Sequence, residues 1–444
     1  MSTPTRPGLP VVVVGAGPVG LAAAAHLSAR GLPFVVLEAG PHAGAAIARW
    51  GHVRLFSPWR WTVDAAARRL LAVAGWTAPA DDGLPTGTDL VQDYLRPLAA
   101  TPALVPHVRY GARVQAIARV GIDRVRTAGR QEAPFVVRLD SGEELTARAV
   151  IDASGTWRTP NPLGATGLPA IGETLGAGDD VPVESALPDV LGADRARFAG
   201  VHTLVVGAGH SAANTLLALA ELGVSAPGTR ATWAVRGRDA DRAYGGQDAD
   251  ALPARGALGA RLHRLVRTGQ VDLVTGFAVR ALAAADGRIE VTATDGRVLV
   301  ADRVVAATGF RPDHTITEEL RLDLDPILGS TRALAPLIDP NVHSCGTVPP
   351  HGVDELSHPE PGYYAVGMKS YGRAPTFLMA TGYEQVRSVV AALAGDWTAA
   401  SDVQLHLPET GVCSLPPQHT GDATTPVRAG QLVPAATGAG ACCG

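Results

Sequence analysis

Val11 to Val14 is an unbroken run of four β-branched residues between Pro10 and Gly15, the pattern of a strand buried on both faces. Gly15-Ala-Gly17-Pro18-Val-Gly20 follows, and then an Ala-rich stretch from Leu21 to Arg30 with good helix propensity that stops at Gly31. Phe34 to Leu37 reads as a second buried strand ending on Glu38, which completes a strand, glycine turn, helix, strand unit. The same order recurs at Thr203 to Val206, Gly207-Ala-Gly209-His210-Ser211-Ala212, a helix through Leu222, and a strand at Ala231 to Val235 running into Arg236-Gly-Arg238. The two glycine phrases stand 192 positions apart, far beyond a solenoid period, so they mark two domains.

Shorter strands are expected at Phe135 to Leu139, Ala149 to Asp152, Ile289 to Ala293 and Arg303 to Ala307, with Asp140-Ser-Gly142 and Asp295-Gly296 as hairpin turns. Each hairpin leads into a similar phrase, Val150-Ile-Asp-Ala-Ser154-Gly155 and Val304-Val-Ala-Ala-Thr308-Gly309. A last strand, Tyr363 to Val366, precedes Gly367, and a helix from about Gly382 to Leu393 closes the folded part. From Asp396 the chain turns into aperiodic Pro, Ala, Gly and Thr, which predicts a loosely ordered tail.

Composition narrows this picture. The chain has 444 residues with 38 basic and 42 acidic side chains, a net charge of −4. At roughly 150 residues per domain that is two or three domains with a large core. No basic field suits nucleic acid, and no apolar stretch approaches the ~18 residues of a membrane span, so neither is an expected partner. Met1 to Pro10 lacks the apolar region of a secretory signal, and four cysteines make no disulfide framework, so a cytoplasmic setting is expected. Basic charge is almost wholly Arg, with Lys369 the only lysine, a bias that reads as coding rather than chemistry.

The first glycine phrase follows a strand, opens a helix, and has Glu38 18 positions after Gly20, the context that lifts such a phrase above chance. Gly15 permits the tight turn, Gly17 lets backbone approach a pyrophosphate, Gly20 lets helix and strand pack closely, and Glu38 suits ribose hydroxyls. The second phrase has Ala212 in the third glycine position, and Arg236 and Arg238 where the first has an acid. An arginine fork suits a 2′-phosphate, which favours NADPH over NADH; solvated arginines at a strand end are the other reading.

Two dinucleotide sites, one nested inside the other, make the chain resemble two-dinucleotide-domain flavoproteins, specifically the flavin-containing and Baeyer-Villiger monooxygenase branch, over roughly residues 10 to 395. The likeness rests on the two glycine phrases, Glu38, Arg49-Trp50-Gly-His-Val-Arg-Leu-Phe-Ser57, Asp152-Ala-Ser-Gly-Thr-Trp157 and Ala307-Thr-Gly-Phe-Arg-Pro312. The implied fold is α/β with two nested Rossmann-like, three-layer domains. The FAD domain is discontinuous, 1–160 and 305–395; the NADPH domain spans 161–304 and the tail 396–444.

By this resemblance FAD contacts fall on Gly15, Gly17, Pro18, Gly20, Glu38, Arg49, Trp50 and Gly367, and Val114 sits where a backbone group meets adenine. NADPH contacts fall on Gly207, Gly209, His210, Ser211, Ala212, Arg236 and Arg238, and Ser154-Gly155 and Thr308-Gly309 are the points where the chain crosses between domains. The expected partners are O2 and a small-molecule substrate, with a homodimer open.

More narrowly, Trp50 to Pro58, Gly209 to Leu222 and Lys369 to Leu378 resemble flavoproteins of bacterial arsenic-resistance operons described as monooxygenases. The monooxygenases' Phe-x-Gly-x-x-x-His stretch before the second glycine phrase is missing here; Gly167-Leu-Pro-Ala-Ile-Gly-Glu173 stands instead. The Cys-x-x-Cys of the related disulfide reductases is also absent. Cys442 and Cys443 at the tail's end, with Cys413, suit capture of a soft ion such as As(III) or Hg(II). Three functions follow: an NADPH-oxidising monooxygenase acting on a sulfur or arsenic compound, a flavin reductase using the tail thiols as a shuttle, or a low-turnover metalloid-binding or redox-sensing flavoprotein. No catalytic acid or base is assigned.

Overall fold

The first valine run forms β1 (Val11–Val14), every residue of it buried. Val11 and Val13 pack into one apolar cluster and Val12 and Val14 into another, which is why the run does not alternate: both faces of the strand are covered. Helix α1 (Pro18–Ala29) begins at the end of the glycine turn and is apolar on all sides because it lies between the sheet and a later helix. Gly31, in the left-handed region at φ +64°, ends it. The chain returns as β2 (Phe34–Glu38), parallel to β1 with Val14 opposite Leu37. β3 (Val108–Tyr110) extends this sheet outward.

An antiparallel meander follows, β4 (Val114–Arg119), β5 (Phe135–Leu139) and β6 (Glu144–Ala147). The Asp140–Gly142 turn therefore joins β5 to a strand that the sequence pattern does not separate. Ala149–Asp152 is no hairpin partner: it is β7, parallel to β1 with Asp152 opposite Val14. Arg148 marks the step from meander to sheet. Buried charge fastens the meander, since the Glu360 carboxylate accepts from Arg119 at 2.7 Å and Arg130 at 2.7 Å, all three buried.

The plan repeats with β8 (Val183–Glu184), β9 (His202–Val206), α2 (His210–Ser225), β10 (Arg230–Ala234), α3 (Pro253–Arg267) and β11 (Asp272–Val274). The meander β12 (Val279–Ala285), β13 (Arg288–Ala293) and β14 (Val298–Ala301) leads into β15 (Arg303–Ala306). All pairings in this second sheet are parallel, in the order β11-β10-β9-β15-β8. β16 (Tyr363–Ala365) then returns to complete the first sheet, ordered β16-β7-β1-β2-β3. Helix α4 (Met379–Leu393) packs against α1.

Each half is thus three layers deep: helices, parallel sheet, meander. The folded chain continues beyond its expected end, because the Asp396 side chain caps a further helix α5 (Trp397–Ser401) with Ala400 buried. The computed structural model describes residues 8–173, 183–184, 186–246, 250, 252–342, 348–375 and 377–405. Cys345, Cys413, Cys442 and Cys443 lie outside the described residues, and with them the expected metalloid ligands.

Candidate cofactor sites

The first site is built at the carboxyl end of β1. Gly15 takes φ +100°, and a Cβ there would stand 2.8 Å from the Ala153 carbonyl oxygen, so only glycine fits. A Cβ at Gly20 would overlap the Gly15 carbonyl, which means the first turn of α1 sits directly on the glycine turn. Gly17 is the opposite case: nothing lies within 4 Å of its missing side chain. Backbone closes the turn from behind and leaves it open in front, and α1 carries no side-chain cap, with Pro18 in its first turn. Those features fit the pyrophosphate of a dinucleotide.

Glu38, the last residue of β2, accepts the Ala16 amide at 2.8 Å and the Gly40 amide at 2.7 Å, one on each oxygen. Each oxygen keeps a second lone pair for a ribose hydroxyl. Arg49 is exposed at the end of a short turn, whereas Trp50 is half-buried with its ring against Gly87. Val114 opens β4, buried in the cluster shared with Val14 and Leu37. Gly367 takes φ +69° beside Val19 of α1, and its amide donates to Gln385 at 2.7 Å.

The second site repeats the construction. Gly207 takes φ +130° and a Cβ would overlap the Ala307 carbonyl, while Gly209 again faces open space. Ala212 is fully buried in the position of Gly20. Ser211 accepts the Thr215 hydroxyl through its carbonyl. β10 ends at Ala234, so Arg236 and Arg238 lie beyond the strand; both are exposed, and Arg236 donates to the Ala165 carbonyl at 3.1 Å.

Two contacts relate the sites. The His210 ring, at the start of α2, lies 5.0 Å from that of Phe56, in the segment that follows the first site. Solvent reaches His210, yet the protein around it, together with the Arg255 charge, pushes its imidazole below its ordinary value. The two crossing segments also pair with each other. The Asn161 amide donates to the Gly309 carbonyl at 2.9 Å, the Thr308 hydroxyl donates to the Asn161 carbonyl at 2.7 Å, and the Trp157 and Phe310 rings stack at 4.9 Å. Gly155, at φ +69°, has open space around it, and Ser154 is exposed. In the stretch that lacks the monooxygenase histidine, Glu173 is buried and accepts the Leu163 and Ala170 amides, closing a loop rather than meeting a ligand.

Sequence reasoning missed one group. Lys369 and Asp152 form a buried ion pair at 2.6 Å, with Asp152 also accepting from the Tyr363 hydroxyl at 3.0 Å and the Ser154 hydroxyl at 2.6 Å. Burial pushes the Asp152 carboxyl up, but the charge and hydrogen bond of Lys369 and the hydrogen bonds of Ser154 outweigh it and hold it below its ordinary value. The available signal was the lone lysine itself, in a chain that uses Arg everywhere else.

The family described as pyridine nucleotide-disulphide oxidoreductase matches residues 12–331. No curated protein sequence matches the chain. Among solved structures it is similar to a bacillithiol disulfide reductase from Bacillus cereus (TM-score 0.60, 18% identity, 87% of this chain and 99% of that one). It is also similar to a flavin-containing monooxygenase from Stenotrophomonas maltophilia (0.57, 23%, 87% and 98%). A third is the FAD-bound cadaverine monooxygenase of desferrioxamine biosynthesis from Erwinia amylovora (0.59, 13%, 92% and 99%). At these identities the likeness is one of fold, and the fold is shared by reductases and oxygenases alike. No helix of the described residues is long and apolar enough to cross a membrane.

Proposed function

This chain belongs to the pyridine nucleotide-disulphide oxidoreductase family and is a flavin-dependent oxidoreductase, and from that premise we propose that it oxidises NADPH to oxygenate a soft nucleophile, a sulfur or arsenic compound. FAD is held at Gly15, Gly17 and Gly20 and NADPH at Gly207 and Gly209, in the domains 1–160 with 305–395 and 161–304. Bound FAD supplies the chemistry, accepting two electrons from the nicotinamide and reacting with O2. The chain supplies position. Uncapped amides of α1 and α2 meet the two pyrophosphates. Glu38 holds the FAD ribose, Arg49 and Trp50 border the flavin, and Arg236 and Arg238 meet the 2′-phosphate that distinguishes NADPH from NADH.

The observation that carries this reading is the Phe56–His210 contact, which brings the start of the second site's helix against the segment that follows the first. Two reactants delivered to one place need no further encounter, and that is worth several orders of magnitude in rate. A neutral His210 adds no repulsion beside a nicotinamide that becomes cationic on oxidation. Oxygenation is favoured over disulfide reduction because the first 344 residues hold no cysteine, hence no Cys-x-x-Cys beside a flavin. The monooxygenases among the structural neighbours and the arsenic-operon likeness of Trp50 to Pro58 point the same way.

The test is NADPH oxidation under 18O2 with an organic sulfide or a trivalent arsenical. One labelled oxygen atom in the product per NADPH is the expected result. Conversion of all the oxygen to hydrogen peroxide, whichever substrate is present, would leave a reductase.

A further inference from the structure

Asp152 and Lys369 are removed from water, and a buried ion pair is a poor source of stability because desolvation offsets its attraction. The second half demonstrates that the fold does not require it. By sheet register Asp152 stands beside Val14 as Ala306 stands beside Val206, each just before the carbonyl that closes the glycine turn, and at Ala306 there is no charge. The basic partner is also the only lysine in the chain. A compact ammonium with three rotatable donors stands here instead of the planar arginine fork used elsewhere in the chain.

The pair's surroundings are those of the first cofactor site. Asp152 ends β7 and Lys369 follows β16, at the carboxyl edge of the sheet where the Gly15 turn lies and where ligands of parallel sheets bind. Lys369 Nζ donates to the Ser154 hydroxyl at 3.3 Å, and Ser154 is exposed directly after Ala153, the residue that closes on Gly15. Gly367, two residues before the lysine, lies against Val19 in the first turn of α1. Asp152 and Ser154 occupy two of the three ammonium donors.

We propose that Lys369 is a cofactor-facing cation of the first site, its third donor meeting negative charge on FAD, and that Asp152 sets how much of its field reaches the cofactor. This rests on the assignment of FAD to that site. Negative charge on FAD has two sources, the pyrophosphate in every state and the flavin ring once it is reduced, and charge beside the ring tunes its electronics.

The experiment is an anaerobic reductive titration of the full-length holoprotein against a reference dye, with FAD dissociation constants, for wild type, Lys369→Met, Asp152→Asn and the double variant. Loss of the cation lowers FAD affinity about tenfold. Should the loss be confined to reduced FAD, the midpoint falls by about 30 mV for the two-electron couple and the ring is the source. Should it be equal in both states, the midpoint holds and the pyrophosphate is the source. Asp152→Asn moves the same quantity in the opposite direction, and the double variant, with no buried charge to disrupt folding, lies between them. Shifts of one sign in both single variants, or FAD affinities within twofold and midpoints within about 10 mV of wild type, would overturn the proposal in favour of a structural pair. A wild-type protein that binds no FAD would overturn the site assignment itself before any variant is compared.

Discussion

The two halves of this molecule are one design executed twice, and they differ at the few positions where chemistry is addressed. Both set a buried strand, a glycine turn and a helix against a crossing phrase whose carbonyl forbids a side chain on the turn's first glycine, Ala153 over Gly15 and Ala307 over Gly207. Both leave open space in front of the turn, at Gly17 and Gly209. The differences are Gly20 against Ala212, Glu38 against Val235 with Arg236 next beyond it, and Asp152 against Ala306. The lesson is that whatever the halves share is dictated by backbone geometry, and whatever separates them is free to specify a ligand.

The fastening of the meanders provides the harshest way to break the comparison. In the first half Arg119 and Arg130 converge on the buried Glu360, whereas the second half's pairs, Arg288 with Asp302 and Arg297 with Asp295, are solvent-exposed to a large degree. Glu360→Ala leaves two buried guanidiniums without the carboxylate that balances their charge and should cost roughly 4 kcal/mol in urea unfolding. Asp295→Ala should change stability by less than about 1 kcal/mol. Next comes Gly20→Ala, whose Cβ overlaps the Gly15 carbonyl: a loss of roughly 3 kcal/mol and of bound flavin absorbance is expected. The reciprocal Ala212→Gly should cost only about 0.5–1 kcal/mol, from helix propensity, and leave NADPH binding intact.

Acid offers a graded version. His358 lies partly buried in the first half, where burial pushes its imidazole down to about 4. The unfolded chain then binds the proton between pH 6.5 and 4 while the native state does not, so stability falls as pH drops through that window, by up to roughly 3 kcal/mol at its lower end. Unfolding of the His358→Asn protein should show a correspondingly flatter pH profile between those limits. The last comparison is of specificity. Arg236→Glu, which gives the second half the charge of Glu38, should shift the ratio of kcat/KM for NADPH over NADH toward NADH by about 10–100-fold. An unchanged ratio would mean that the arginine is only a solvated strand end.

Much of this architecture is legible in the chain because it rests on local rules. A four-valine run bounded by proline and glycine has one stable environment, a covered parallel strand. A glycine phrase between strand and helix has one geometry. Helix boundaries moved by about three residues, as at α2, which extends to Ser225 rather than Leu222, and at α4, which begins at Met379 rather than Gly382. The meander strand Glu144–Ala147 was invisible because three of its four residues are polar or small on an edge, where exposure relaxes the alternation. The helix Trp397–Ser401 was invisible for a related reason, since a single turn held by the Asp396 cap and by packing on α4 has no periodicity to read.

The sequence by itself determined that this is a protein of two dinucleotide-binding folds, with an acid at the end of one second strand and arginines just beyond the other. Those conclusions follow from residue types at fixed spacing along a strand, turn and helix, and such spacing survives in one dimension. Tertiary structure alone decided that Asp152 and Lys369, 217 positions apart, form a pair, and that Phe56 meets His210. No local propensity encodes either contact. The first depends on β7 and β16, distant in sequence, becoming neighbours in one sheet and on burial turning an ordinary lysine into a charge that must have a partner; the second joins segments that follow strands of two different sheets.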